Sequence, residues 1–234
     1  MTGTSGTSEL SGAGGSGDVL LAIDSATTRV VVAAGTRDGR LLDAIDWPAG
    51  YRHGETLLPA VDGLLGRLAI ERHRLGAIIV GTGPGAFTGL RVGIATAKGI
   101  AQALDRPIIG IPTGEALLSG APDDAALLLP AGPSDRLVVR PGSPARLVAA
   151  DADAEIAPGT IILALDLPGR APEDALERGE AARAELGASL LRLGAARLAA
   201  GAADDLARLV PDYVTLPRGV RSDTGEVSWS RDRR

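Results

Sequence analysis

One stretch limits the fold more than any other. Ala77-Ile78-Ile79-Val80 is a short apolar run of strand character. Gly81-Thr82-Gly83-Pro84-Gly85-Ala86-Phe87-Thr88-Gly89 follows it, and helical spacing then runs from about Leu90 to Leu104. A strand, a glycine-rich turn and a helix in that order point backbone N–H groups and a helix N-terminus at an anion. Gly81 to Ala86 also satisfies a loose G-x-G-x-x-A pattern. Pro84 removes one donor, however, and Lys98, the chain's one lysine, lies several turns into the helix. Two readings stand: a tight turn that lets the helix pack closely on its sheet, which these departures favour, or a phosphate contact.

The elements upstream and downstream place this unit. Val19-Leu20-Leu21-Ala22-Ile23, ending in Asp24-Ser25, reads as a buried strand. Arg29 to Ala34 and Leu41 to Trp47 follow after tight connections, as in an antiparallel meander. From Glu55 to Leu68 the spacing is helical, with Pro59 expected in the first turn, where a missing N–H costs little. Pro107 to Ile111 gives a further strand. The order β-β-β-α-β-α-β is that of the ribonuclease-H-like unit on which actin-like and sugar-kinase-like ATPases are built. The expected fold is therefore α/β, actin-like, with two lobes.

Beyond Thr113 the strand candidates are 126–129, 136–139, 146–149 and 160–165, separated by Pro/Gly-rich turns, and helices are expected near 171–177 and 181–200. This half reads as a smaller, degenerate lobe. The expected division is a flexible tail at 1–17, a first lobe at 18–111, a second lobe at 112–217 whose last helix packs back on the first, and a C-terminal tail at 218–234.

Composition narrows the chemistry. Aromatic residues are 2% of the 234, so the core must be built from Ala, Leu, Ile and Val. A net charge of −5 argues against a protein that holds nucleic acid by itself. The absence of cysteine excludes disulfides, thiolate metal sites and a Cys nucleophile. The two histidines, His53 and His73, are too far apart for a shared site, and no Ser-His-Asp arrangement is visible. No apolar run approaches the roughly 20 residues of a membrane span, and no secretory leader is visible; a cytoplasmic protein is expected. Asp24 is the one candidate for ATPase chemistry, since actin-like enzymes place a carboxylate at the end of the first strand. The turn after it, Ser25-Ala26-Thr27-Thr28, has no glycine to wrap a phosphate, which favours a side chain that closes the turn by accepting N–H bonds.

The two helices of the first lobe carry surplus apolar surface. Leu57, Val61, Leu64 and Leu68 form one stripe, with Leu58 and Leu65 on another. Gly89, Gly93, Ala97 and Ala101 line the other helix with small side chains, suited to close packing on its own sheet or on a partner. A sheet covers one stripe, so the surplus points either to a helix–helix interface with another chain or to cover by the second lobe. The candidate interface is Leu57, Val61, Leu64, Leu68, Gly93, Ala97 and Ala101.

Three stretches carry a family resemblance: Ala22-Ile23-Asp24-Ser25; His53-Gly54-Glu55-Thr56-Leu57-Leu58-Pro59; and, with highest specificity, Gly81 through Gly99. Together they resemble the TsaB (YeaZ) family from about Leu20 to Leu117. Pro211-Asp212-Tyr213 is similar to that family's closing Pro-x-Tyr motif, although Val214-Thr215 stand where an arginine usually follows. The resemblance implies an actin-like fold without catalysis of its own. It implies pairing with a related metal-containing TsaD subunit that transfers threonylcarbamoyl to a tRNA adenosine, with a TsaE ATPase joining. It also implies a bundle formed by the two first-lobe helices, which the free protein can use to homodimerise, and tRNA contact only through the complex. Asp24, Ser25, Gly83 and Gly85 would then be a vestigial nucleotide loop, with no cofactor or metal and at most weak ATP binding. The rival readings are an active actin-like ATPase or kinase using Asp24 and the glycine loop, or a peptidase.

Overall fold

The computed structural model describes residues 17–49, 53–149 and 156–214. Apart from Gly17, the two stretches read as tails lie outside the described residues up to 16 and from 218 on. The first sheet is built from β1 (Val19–Asp24), β2 (Arg29–Thr36), β3 (Leu41–Pro48), β4 (Leu75–Gly81) and β5 (Ile108–Ile111) in the order β3-β2-β1-β4-β5. β2 is antiparallel to β1 and β3, whereas β4 is parallel to β1 and to β5. Every residue of β1 and β4 is buried, because both faces of the sheet are covered.

On one face lie α1 (His53–Arg67) and α2 (Phe87–Leu104). Val19, Leu21, Ile23, Val32, Ile78 and Val80 meet Leu57, Val61, Leu64, Ile94, Ala97 and Ala101 there. α1 starts at His53, which puts Pro59 in its second turn and not its first; the proline is exposed. The opposite face is covered by residues from the far half of the chain. α5 (Leu186–Ala199) sets Leu186, Leu190, Leu191 and Ala195 against Leu20, Ala22, Val31, Ala33 and Ile79. Two helical glycines set the spacing: a Cβ at Gly194 would overlap the Ile79 side chain, and one at Gly187 would lie 2.9 Å from Ala33 Cβ.

The second sheet has the order β8-β7-β6-β9, from β6 (Ala126–Ala131), β7 (Asp135–Val139), β8 (Arg146–Val148) and β9 (Ile162–Ala164). β6 pairs with β7 antiparallel and with β9 parallel. Its Leu127, Leu129, Leu137, Val139 and Leu163 enter the same cluster as α5 and the first sheet. α3 (Thr113–Leu118) joins them there, while α4 (Glu173–Ala184) covers the other face. The two lobes therefore share one core. α3 is absent from the sequence expectation, and α4 runs seven residues beyond Glu177, ending where Glu185 (φ −91, ψ −2) separates it from α5. Among the described residues no helix is long and apolar enough to cross a membrane.

A polar clasp adds to the shared core. Asp166 accepts the Thr28 N–H at 2.9 Å and the Arg183 Nη1–H at 2.8 Å, and the Thr28 hydroxyl donates to the same carboxylate. The Arg183 and Asp166 side chains are only 7% and 8% exposed, and Glu180 binds the rest of the guanidinium. Removing Arg183 would strand a buried carboxylate. Arg183→Ala is expected to lower unfolding free energy by about 3 kcal/mol, read as a reduced urea midpoint with an unchanged slope.

Candidate functional site

The glycine loop, the first candidate, is closed on the protein itself. The Thr82 N–H donates to Ile111 O at 2.9 Å, the Gly83 N–H to Thr113 Oγ1 at 3.1 Å and the Ala86 N–H to Ala26 O at 2.7 Å; Pro84 has none to give. Gly85 and Gly89 press on the β1–β2 turn, where a Cβ would overlap Ala26 O and Ser25 O respectively. A Cβ at Gly93 would meet Ser25 Oγ in the same way, and that hydroxyl donates to Gly89 O at 2.8 Å. Asp24 is fully buried: Oδ1 accepts the Ala26 N–H at 2.8 Å and Oδ2 the Thr113 hydroxyl at 2.6 Å. Burial raises its carboxyl to about 6, against those two hydrogen bonds, which pull it down.

Asp24, Ser25, Gly83 and Gly85 thus form a packed junction. Gly83 holds φ +105, open to glycine at little cost. A cleft of about 510 Å³ does lie beside the junction, between the lobes, with Thr27, Thr28, Gly85, Phe87, Leu137 and Asp166 in its wall. Among the described residues its lining has a carboxylate and no Lys, Arg or His, so they offer a polyphosphate no countercharge.

The helical face corrects the second candidate. Leu57, Val61, Leu64, Gly93, Ala97 and Ala101 are all buried inside the monomer, and Leu68 packs against the same cluster. The small-residue stripe of α2 is turned to its own sheet so that the helix can sit close to Ile23 and Ser25. Most of these residues lie on the underside of the helical layer, Leu68 is half-buried at its end, and Val61 also lines the groove between α1 and α2. The outer surface carries Leu58, 55% exposed, and a groove of about 520 Å³ between α1 and α2. Leu65 and Leu75 floor the groove, with Leu58, Ile100, Ala103 and Leu104 along it. Leu58 and Leu65 belong to the second α1 stripe visible in the sequence.

The chain end adds a feature absent from the sequence expectation. After α5, Asp204 bridges Ile108 and its carboxylate accepts the Gly110 N–H at 2.7 Å, so this segment covers the β5 edge. The Asp212 N–H donates to Thr82 O at 2.8 Å. Tyr213 then stacks beside Phe87, ring centroids 5.0 Å apart, and its hydroxyl accepts from Arg91 Nε at 2.8 Å. The Arg91 guanidinium lies 3.8 Å over the Phe87 ring. Phe87 and Tyr213 both fall in stretches that carry the family resemblance, but nothing in their spacing announces the contact.

With that geometry in view, comparison with known proteins places the chain. The family model described as "TsaD: tRNA N6-adenosine threonylcarbamoyltransferase" matches residues 48–182. The chain belongs to this family. Within it, the chain is of the TsaB/YeaZ kind. It is 34% identical over 102 residues to the tRNA threonylcarbamoyladenosine biosynthesis protein TsaB of Escherichia coli (strain K12), over 44% of this chain and 43% of that protein. The TsaB of Bacillus subtilis (strain 168) is 31% identical over 111 residues, 47% of this chain and 48% of that protein. The matched stretch therefore spans less than half the length of these curated relatives. YeaZ from Pseudomonas aeruginosa has the same fold, at a TM-score of 0.64 and 23% identity over 84% of this chain and 99% of its own.

Two glycines of α2 test the layer spacing. Gly89→Ala is expected to cost about 1–3 kcal/mol through overlap with Ser25 O. Gly99→Ala, at an open site on the same helix, is expected to add up to about 1 kcal/mol. Denaturant unfolding of both variants reads the contrast.

Proposed function

We propose that this protein is a non-catalytic partner subunit in the formation of threonylcarbamoyladenosine in tRNA, and that the outer face of α1 and α2 docks a TsaD-like catalytic subunit. One observation carries the reading: an uncovered apolar groove on the helical layer stands beside a glycine loop whose Thr82, Gly83 and Ala86 N–H groups are bonded within the chain. The groove suits a helix, because its floor is aliphatic, and Asp62 at its margin is held by Arg72 at 2.6 Å.

Sequence and placement support the division of labour. His53 opens α1 and His73 lies in the 3-10 turn past its far end, so roughly 20 Å of helix separates their positions. A paired-histidine metal centre would have to come from the partner. Transfer of the threonylcarbamoyl group would then be that partner's chemistry, with tRNA and a TsaE-like ATPase reaching this chain only through the complex. A homodimer through the same groove would be the resting form of the free protein. ATP turnover by this chain alone finds little support, since Asp24 is sealed and the described residues lining the neighbouring cleft include no cation.

The test is separable from folding. Leu58→Arg and Ile100→Arg on the outer face are expected to abolish co-purification with a TsaD-like partner and to stop tRNA modification by the reconstituted mixture, while Leu58→Arg leaves the unfolding midpoint unchanged. Leu64→Arg, beneath, is expected to prevent folding altogether. Retention of the partner by both outer variants would reject this face. Metal-dependent ATP hydrolysis by the isolated chain, lost in Asp24→Asn, would reject the non-catalytic assignment.

A further inference from the structure

A cavity of about 510 Å³ lies between the end of α3, β9, α4 and α5, and it shares no lining residue with the α1–α2 groove. Its wall is aliphatic where Leu117 and Leu163, both buried, and Ile161, 39% exposed, face it. Three polar side chains of the same wall, Glu185, Ser189 and Arg192, stand at i, i+4 and i+7 along α5. The Ser189 N–H donates to Glu185 O at 2.9 Å, so Glu185 already belongs to the helical turn and the three form one stripe. Acid, hydroxyl and cation thus follow one another along one side of an apolar opening.

We propose that this cavity binds a short aliphatic peptide with free termini, its ammonium at Glu185, an inner amide at Ser189 and its carboxylate at Arg192.

Charge complementarity selects the ligand class. Among the described residues Glu185 has no ion pair, and Arg192 donates to the Ser119 hydroxyl at 3.0 Å without meeting a carboxylate. The other cation of the wall, Arg178, is already held by Asp174 Oδ2 at 2.9 Å and Ile162 O at 2.7 Å. One free acid and one free base call for a zwitterion. An aliphatic monocarboxylate would answer Arg192 and leave Glu185 opposed to its chain. Length then decides between zwitterions. Seven residues of helix advance about 10.5 Å, and three residues of extended chain span about 10–11 Å, whereas a single amino acid covers a third of that. Ser189, only 6% exposed, meets Ser119 Oγ at 3.0 Å and keeps capacity for a second hydrogen bond, midway along the stripe. The N-terminus of α5 carries about half a positive charge, which the full charge of Glu185 exceeds, so the ammonium is still favoured at that end. The aliphatic wall takes the side chains.

Titration of the full chain with leucyl-alanyl-leucine, followed by calorimetry and by amide chemical shifts, tests this. Saturable binding is expected, with shifts at Leu163 and Ser189. Acetylating the peptide's amine or amidating its carboxyl is expected to weaken binding roughly three- to tenfold in each case. Glu185→Gln is expected to erase the difference between free and acetylated peptide, and Arg192→Gln that between acid and amide. Both positions are exposed, so neither change disturbs folding. Absence of saturation up to about 10 mM peptide would overturn the site, as would shifts confined to other parts of the chain. Octanoate bound as tightly as the peptide would mark a monoanion pocket and end the proposal; free leucine bound as tightly would end it through the length argument. Equal affinity for free and blocked peptides would reject the two end contacts and the proposal with them. These outcomes are independent of a TsaD-like partner, so the peptide site and the proposed function can fail separately.

Discussion

The first sheet is buried on both faces, and the rest of the structure follows from that requirement. β1 and β4 are buried throughout and, Asp24 apart, carry no polar side chain, so neither face tolerates water. α1 and α2 supply one cover from neighbouring sequence; α5 and the second sheet supply the other from residues far downstream. Because the chain has few rings, contact between layers depends on small residues. Gly89 and Gly93 bring α2 down on the β1–β2 turn, and Gly187 and Gly194 bring α5 down on the opposite face. The layers are close where glycine permits it, and the polar clasp of Arg183 and Asp166 sits at the rim of that contact.

The same closeness explains what became of a loop that looks built for an anion. Strand, glycine turn and helix are all present, but Gly85 and Gly89 press on the backbone of residues 25 and 26. Loop N–H groups that could have met an oxyanion bind Ala26, Ile111 and Thr113. Fold and site are separable here: the two-sheet α/β frame is present while its glycine loop serves as a packing joint.

Legibility in the sequence followed element length and cover. The five strands of the first sheet and its two helices were readable because each shows one unbroken periodicity over its length. α3 was hidden because six residues between Pro112 and Ser119 make under two turns. The boundary at Glu185 was hidden because no proline marks it and Ala-rich sequence continues on both sides. For the candidate site, both apolar stripes on α1 were visible, but the outward direction of Leu58 was not. Leu57 and Leu58 differ only in which side of the helix meets the sheet, a property of the assembled layers. Asp24 was legible as a turn-closing side chain; its second partner, Thr113, lies 89 positions away and leaves no local trace.

The position of α5 has a consequence for how such a chain is made. The sheet face that holds Leu20, Ala22, Val31, Ala33, Ile79 and Ile109 has its helical cover at residues 186–199. During synthesis, the strands and the α1–α2 layer leave the ribosome well before that cover does. Until then one side of a finished sheet stays wet and adhesive, open to chaperones or to mispairing. Expression of the first hundred-odd residues as a separate piece would leave that exposure permanent.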